Sequence, residues 1–214
     1  MQQEIDTKKE RMYAVQRELH DLQREAAQFE FQYQDPHRGF DRRKVFGKLA
    51  KLFTVDQAEN CRAIEICAGG RLYNVVVDHN ETAKQLLQNG RLRHRVTIIP
   101  LNKISARTIS PRVVEKAKEL VGEEHCNLAL ELIGYDDQLE AAMKYAFGST
   151  MVCSDMNAAK QVAFTNGIKC KSVTLDGDVF NPSGLLTGGS NKRGPSILQN
   201  MRSFQARRYT LHLF

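Results

Sequence analysis

The sequence predicts a mixed α+β fold, in which a coiled-coil helix is followed by two α/β subdomains. Residues 1–30 contain no glycine or proline and carry an apolar stripe of helical period, whereas glycines and prolines separate short apolar runs in the rest of the chain. A chain of 214 residues is long enough to bury a real core. We therefore predict an arm at 1–30, subdomains at 31–108 and 109–190, and a basic, less patterned tail at 191–214.

The predicted arm depends on a heptad repeat whose a and d positions are apolar, with Lys8 as the exception. A stripe with a period of about 3.5 residues favours a partner helix, because a lone helix would leave that seam in water. The alternative is an amphipathic helix packed on its own domain, but the polar residues beside the stripe favour a coiled coil. The repeat places Ile5, Met12, Leu19 and Ala26 at a, and Lys8, Val15, Leu22 and Phe29 at d.

The first subdomain is predicted to alternate short helices and strands, since turn residues interrupt its apolar runs. Asp41 is expected to cap a short basic helix, and Gly69-Gly70 to turn a β-hairpin, because both glycines accept a positive φ. The other predicted elements are hairpin strands at 63–67 and 72–78, a helix from Asn80 that stops at Gly90, and a strand at 96–99 halted by Pro100.

The second subdomain begins with Ser110-Pro111, which predicts a helix start because proline suits the first helical position. Asp176-Gly177-Asp178 has the composition of a turn and predicts a hairpin. The elements predicted here are a helix from Pro111 to Val121, a strand at 128–132, a helix from Asp137 to Phe147, a strand at 150–153, a helix from Asp155 to Phe164, and hairpin strands at 171–175 and 179–180.

A glycine-rich run at 181–190 is the first candidate site. Its spacing lacks the Lys-Ser or Lys-Thr pair of a phosphate-binding P-loop, and its two adjacent leucines are too apolar for an ordinary exposed loop. A strand flanked by glycines, against which another backbone packs closely, explains both features. The residues of this predicted dimer interface are Gly184, Leu185, Leu186, Thr187, Gly188 and Gly189.

Catalysis, cofactors and membrane insertion find no support in the sequence. The six histidines are scattered without metal-ligand spacing, no nucleophile elbow occurs, and no apolar run approaches the roughly 20 residues that span a bilayer. The five cysteines have no CxxC spacing and are expected to be buried thiols in a reducing compartment. We therefore expect a protein that is not an enzyme and binds no cofactor or metal.

The net charge of +6 and pI near 9.1 suggest a polyanionic partner. Two clusters are candidates for weak, non-specific DNA contact, because cations bind backbone phosphates without reading sequence. An ordinary solvated face is an equally good explanation of each cluster. The first comprises Arg42, Arg43, Lys44, Lys48 and Lys51; the second comprises Arg91, Arg93 and Arg95, expected on one side of an extended segment.

Three segments, 71–78, 97–104 and 177–190, resemble the hinge of structural maintenance of chromosomes (SMC) proteins of the condensin type. The resemblance implies a two-subdomain hinge that pairs with another SMC hinge, the second condensin subunit, into a ring-shaped dimer through segments such as 184–190. It further implies antiparallel arms leading to an ATPase head, a role in mitotic chromosome condensation, and location in the nucleus on chromosomes with a cytoplasmic pool. The resemblance makes residues 191–214 the start of the returning arm, which is atypical because residues 205–214 depart from the family's returning helix.

A stand-alone basic nucleic-acid-binding protein is the alternative function. In that case the heptad would be merely an amphipathic helix, and nucleic-acid binding would need no protein partner.

Overall fold

The computed structural model describes residues 27–189 and 196–202, together with the helical residues 12, 13, 16, 17, 20 and 24. Most predicted heptad positions, and residues 203–214, lie outside these ranges. Phe29, predicted at a d position, lies in a turn after the helix and is completely buried in the core. Its ring stacks on Tyr73 with the centroids 5.1 Å apart. Phe29 therefore anchors the arm to the globular body instead of facing a partner helix.

Helices and strands alternate along the body. Between residues 42 and 187 the α-helices are α1 (Asn60–Ala68), α2 (Asn80–Asn89), α3 (Pro111–Val121), α4 (Glu140–Phe147) and α5 (Met156–Phe164). The strands are β1 (Val45–Lys48), β2 (Phe53–Val55), β3 (Val75–Val77), β4 (Ile98–Pro100), β5 (Cys126–Leu128), β6 (Ile133–Tyr135), β7 (Thr150–Cys153), β8 (Lys171–Thr174), β9 (Val179–Phe180) and β10 (Leu186–Thr187).

The strands form one sheet in each predicted subdomain. The first sheet has the order β1-β3-β4, with β3 antiparallel to β1 and parallel to β4. All three residues of β3 are valines and all are buried, as expected for a central strand covered on both faces. The second sheet has the order β10-β9-β8-β7-β5, so its two edges are β10 and β5. The mixed α+β class predicted from the sequence is confirmed.

A third, two-stranded sheet joins the two halves. Strand β2 pairs antiparallel with β6, and the Phe53 ring meets the Phe147 ring edge-on at 5.0 Å. The turn between β8 and β9 also packs on α1: a methyl group added at Gly177 would lie 2.5 Å from Ile66 Cδ1. Because these contacts belong to one hydrophobic cluster that contains residues of both halves, the two sheets are parts of a single packed body.

Residues 196–202 pack on the same body. Residues 197–202 are helical, and the Ser196 hydroxyl and Gln199 side chain accept hydrogen bonds from each other's backbone N–H groups at 3.1 and 2.8 Å. Leu198 and Met201 are buried in the core cluster that also contains Phe29. Phe29 and the helical residues 197–202 are thus both fixed to one core.

Two predictions in the first half were wrong. Asp41 does cap a turn, accepting a hydrogen bond from the Arg43 N–H at 3.0 Å, but that turn is a single 3-10 turn leading into β1. The predicted hairpin around Gly69-Gly70 is instead α1 followed by a 3-10 turn. Cys61, Ile64 and Ala68 are buried at helical spacing, and a short apolar run fits either period.

The structure of the second half agrees more closely with the elements predicted from the sequence. Helix α3 begins at Pro111, immediately after Ser110, and the β8–β9 hairpin turns at Gly177 with φ of +103°. The Asp155 carboxylate caps α5 by accepting hydrogen bonds from two backbone N–H groups at 2.8 and 2.9 Å, which lowers its pKa. The predicted strand at 128–132 is wrong in part, because a 3-10 turn at Ala129–Leu132 separates β5 from β6.

No helix in the described ranges is long and apolar enough to cross a membrane.

The contact between the two halves at Phe147 leads to a prediction about stability. Phe147→Ala removes a fully buried ring from the shared core and should lower the free energy of unfolding by about 3–5 kcal/mol. The matched control is Phe164→Ala, whose ring is 38% exposed and should cost less than about 1 kcal/mol. Urea unfolding measures both values. Equal losses for the two variants would contradict the assignment of Phe147 to the joint.

Candidate functional site: an open sheet edge and a basic cleft

Strand β10 forms an edge of the five-stranded sheet. It pairs with β9 in antiparallel register, Leu186 opposite Phe180 and Thr187 opposite Val179. The Asn181 N–H donates to the Leu185 carbonyl at 2.9 Å, which makes residues 181 and 185 a hydrogen-bonded pair. Because such pairs alternate along an antiparallel ladder, the N–H and C=O of Leu186 point away from β9, toward the open edge.

The apolar residues of this edge lie in solvent. Leu185 is 68% exposed and Leu186 is 64% exposed, while all six residues of the predicted dimer interface belong to the exposed surface. Unpaired backbone groups on a sheet edge can template pairing with another chain. Together with the two exposed leucines, they make this short edge a candidate site for the addition of a further strand.

The glycines hold the edge in place by two different means. Gly184 and Gly189 have φ of +94° and +132°, which side-chain-bearing residues rarely adopt. Gly188 instead lies against the β8–β9 turn, where an added Cβ would collide with Asp178 Oδ1. The backbone after β10 thus passes closely over Asp178, and a side chain at residue 188 would require the Asp178 carboxylate to move.

The first basic cluster is partly neutralised. Arg42 Nε lies 2.8 Å from Asp35 Oδ1, and Arg43 Nε lies 3.0 Å from Asp41 Oδ1. These carboxylates raise the pKa of both guanidinium groups, and the hydrogen bonds from Arg43 lower the pKa of Asp41. Since acids within and before the cluster pair with its cations, its net charge available to a phosphate backbone is smaller than the sequence indicates.

Two lysines of this cluster face the arm. The Lys51 ammonium pairs with the Glu30 carboxylate. Lys48 Nζ donates to the Gln28 carbonyl at 2.5 Å and lies 5.9 Å from the centre of the Tyr73 ring. Lys44 is exposed. These contacts tie the arm end to β1 and the turn that follows it.

The second basic cluster is a bent loop. Arg91 has a positive φ of +45° and the chain bends at residues 93–94, so the prediction of one extended segment was wrong. A bend breaks the alternation that would put the three guanidinium groups on one side. Arg91, Arg93 and Arg95 are nevertheless all exposed, and none forms an ion pair with another described residue.

A cleft of about 540 Å³ lies between the arm end and this loop. It brings Arg93 and Arg95 together with Lys48, whereas Arg42, Arg43, Lys44, Lys51 and Arg91 do not line it. The cleft also contains Tyr73 and His94, which sequence reasoning had not selected, since nothing in the spacing sets Tyr73 apart from its apolar neighbours. Its ring, which is partly exposed although it stacks on Phe29, lines the cleft together with three cations and the Glu30 carboxylate.

Within the ranges that the structure describes, no three His, Cys, Asp or Glu side chains are grouped to hold a metal ion.

The fold and the open edge define the class of this protein. Residues 42–163, more than half of the chain, match the family model described as the SMC proteins Flexible Hinge Domain. The chain therefore belongs to the SMC hinge family, as the sequence resemblance predicted. The matched domain is structural and not catalytic.

The curated relatives of this chain indicate which kind of SMC hinge it resembles. The chain is 54% identical over 180 residues to Structural maintenance of chromosomes protein 2-1 of Arabidopsis thaliana, and 46% identical over 175 residues to Structural maintenance of chromosomes protein 2 of Homo sapiens. These alignments cover 84% and 82% of this chain but 15% of each relative. The chain thus spans about a seventh of the length of these relatives.

Solved hinge structures share the fold. A structure described as an asymmetric dimer of the Geobacillus stearothermophilus SMC hinge domain has a TM-score of 0.68 and 27% identity, covering 97% of this chain and 83% of that one. A Pyrococcus furiosus Smc hinge domain with an extended coiled coil has a TM-score of 0.56 and 28% identity, covering 99% and 78%.

The close approach at Gly188 is testable. Gly188→Val places a branched side chain against Asp178 and should displace β10. Because the Leu186 amide already points outward, the Thr187 amide, which faces β9, is the reporter, and its hydrogen exchange should accelerate about tenfold or more, or roughly 1.4 kcal/mol of local stability. Adding Asp178→Ala removes the obstructing carboxylate and should slow the exchange again. If the double variant exchanged as fast as the single one, contact with Asp178 would not be what excludes a side chain.

Proposed function

We propose that this chain is a dimerisation module that pairs with the hinge of another SMC protein by adding that partner to the edge of β10. The observation that carries the proposal is the exposure of Leu185 and Leu186 on an open edge. A strand from the partner would satisfy the outward N–H and C=O of Leu186 and cover both leucines in one step. Glycines on either side of β10 leave room for the partner's backbone.

The energetics favour such pairing. Burying an exposed leucine side chain is worth roughly 1.5–3 kcal/mol, and a buried pair therefore supplies a central apolar anchor. A specific interface also needs a total buried area of about 1,000 Å² or more, so surface beyond the two leucines must take part. The solved hinge of Geobacillus stearothermophilus, which is a dimer, supports the same use of the fold.

The relatives support a more specific role. We propose that the partner is the second SMC subunit of condensin, that residues 1–30 and 191–214 begin the two arms, and that the hinge subdomains are 31–108 and 109–190. The protein would then act in mitotic chromosome condensation, in the nucleus on chromosomes with a cytoplasmic pool. The identity of 46% to Structural maintenance of chromosomes protein 2 of Homo sapiens supports this assignment.

The pairing surface can be tested with matched leucines. Leu185→Glu combined with Leu186→Glu places two charges on the proposed interface and should weaken binding to a condensin partner hinge by about 100-fold or more, or roughly 3 kcal/mol. The control is Leu87→Glu, a similarly exposed leucine on α2, which should leave affinity unchanged. Sedimentation equilibrium of the mixed hinges measures the dissociation constant. Parent-like affinity of the double variant would overturn the proposal.

A second activity, weak non-specific DNA contact, is favoured by the exposed arginines at 91, 93 and 95 and by the cleft containing Lys48 and Tyr73. Cations bind backbone phosphates, and an aromatic ring can stack on an unpaired base. The acids paired with Arg42, Arg43 and Lys51 reduce what the first cluster can add. We therefore assign the main contact to the second cluster and the cleft.

Charge reversal separates this contact from hinge pairing. Changing Arg91, Arg93 and Arg95 to Glu should lower DNA affinity and flatten the dependence of log K on log salt by about 0.9 for each phosphate that the protein no longer neutralises. The control reverses three exposed cations elsewhere, Arg112, Lys116 and Lys160, with the same change in net charge.

Fluorescence anisotropy with labelled DNA at several salt concentrations compares the two triple variants. Equal decreases in affinity would show that only net charge matters and would remove the assignment to the loop. If the parent chain bound DNA but did not pair with a partner hinge, and the Arg91 triple variant lost that DNA binding, the stand-alone nucleic-acid-binding alternative would gain support.

A further inference from the structure

Two buried cysteines face each other across neighbouring strands. Strand β5 pairs antiparallel with β7, and the register sets Cys126 directly opposite Cys153. Their sulfur atoms are 3.9 Å apart. Both side chains are completely buried in the apolar cluster of the second half. The two thiols are thus held against each other by the strand pairing itself.

The pair occupies the cross-strand position best suited to a covalent link. The Ser154 N–H donates to the His125 carbonyl at 3.0 Å, so residues 125 and 154 are a hydrogen-bonded pair and the next pair, 126 and 153, is a non-hydrogen-bonded one. Side chains approach most closely at non-hydrogen-bonded pairs, where the Cα atoms are about 4.5 Å apart. This spacing lies within the Cα range that disulfides accept, about 4.4–6.8 Å.

We propose that Cys126 and Cys153 are an oxidation site at which hydrogen peroxide forms a reversible disulfide between β5 and β7. One thiol attacks peroxide, the O–O bond breaks, and a sulfenic acid and water result. The second thiol then attacks the sulfenic sulfur, the S–O bond breaks, and a second water leaves. The two thiols together lose two electrons and two protons, and the peroxide is reduced to two waters.

The surroundings indicate which thiol reacts first. The Cys153 thiol donates to the Cys126 sulfur, and this hydrogen bond together with the nearby Lys118 lowers the pKa of Cys126. The pKa of Cys153 is raised by the hydrogen bond that its thiol donates to Cys126 and by burial. Because the thiolate is the nucleophile, Cys126 takes the role of the attacking group and Cys153 the resolving one.

Access comes from the position of β5, the edge of the sheet opposite β10. Edge strands open locally more readily than central strands, and a small uncharged oxidant needs only a brief opening. Glutathione disulfide is larger and charged, so it should not reach either thiol in the folded chain. The cysteine pair is therefore distinct from the proposed pairing edge at β10.

The link would strengthen the joint between the halves. The segment between the two cysteines carries β6 and α4, which hold β2 and Phe53 of the first half. Closing this loop restricts the unfolded chain and should raise the unfolding temperature by roughly 5–10 °C.

The test uses the full chain, reduced and then freed of reductant. Samples are treated with hydrogen peroxide or with glutathione disulfide, denatured in an alkylating reagent, digested without reduction and mapped by mass spectrometry. Peroxide should give a peptide pair linking Cys126 to Cys153, and reductant should reverse it. Glutathione disulfide should leave both cysteines alkylated.

Cysteine variants, and the identity of the oxidised products, test whether the link joins Cys126 to Cys153. Cys153→Ala should abolish the link and the rise in unfolding temperature, whereas Cys61→Ala should retain both. If Cys153→Ala does not fold, the map of the parent chain decides alone. A link from Cys126 to Cys170, or peroxide oxidation at Cys170 with Cys126 and Cys153 left reduced, would overturn the proposal.

Discussion

An open sheet edge that carries two solvent-exposed leucines is the constraint on which the molecule's role depends. Strand β10 cannot turn these side chains into its own core, because the turn at 181–185 and the close passage of Gly188 over Asp178 fix where the strand lies. Its backbone hydrogen-bonding groups at Leu186 point outward for the same reason. A partner strand would cover the two leucines and satisfy the outward backbone groups of Leu186 together.

The remainder of the body makes this edge a rigid part of a larger unit. The β2–β6 sheet, the contact of Gly177 with Ile66, and the burial of Phe29 and Leu198 in one cluster tie both halves and both arm ends together. A packed core, and not a loose linker, therefore connects the sheet that carries β10 to Phe29 and Leu198. Phe29 is central here, because it joins the arm to Tyr73 beside the basic cleft.

How far the sequence could predict this structure differs between the halves. Ser110-Pro111 and Asp155 mark helix starts through local chemistry, and the structure follows them. The prediction of a hairpin at Gly69-Gly70 was wrong, because the apolar run before these glycines fits either a strand or a helix. The burial of that run against α4 and β8 makes it a helix. The basic loop also could not be foreseen in three dimensions: the left-handed backbone at Arg91 depends on tertiary packing, and the acids paired with Arg42 and Lys51 lie 7 and 21 residues away in the chain.

The amide of Leu186 tests most directly whether β10 is completed by another polypeptide. Hydrogen–deuterium exchange of this single amide is measured in the chain alone and with a condensin partner hinge. The open edge predicts fast exchange alone and at least about tenfold slower exchange in the mixture, because the outward N–H gains a partner carbonyl. Unchanged fast exchange in a mixture that demonstrably pairs, or full protection in the chain alone, would contradict pairing through this edge.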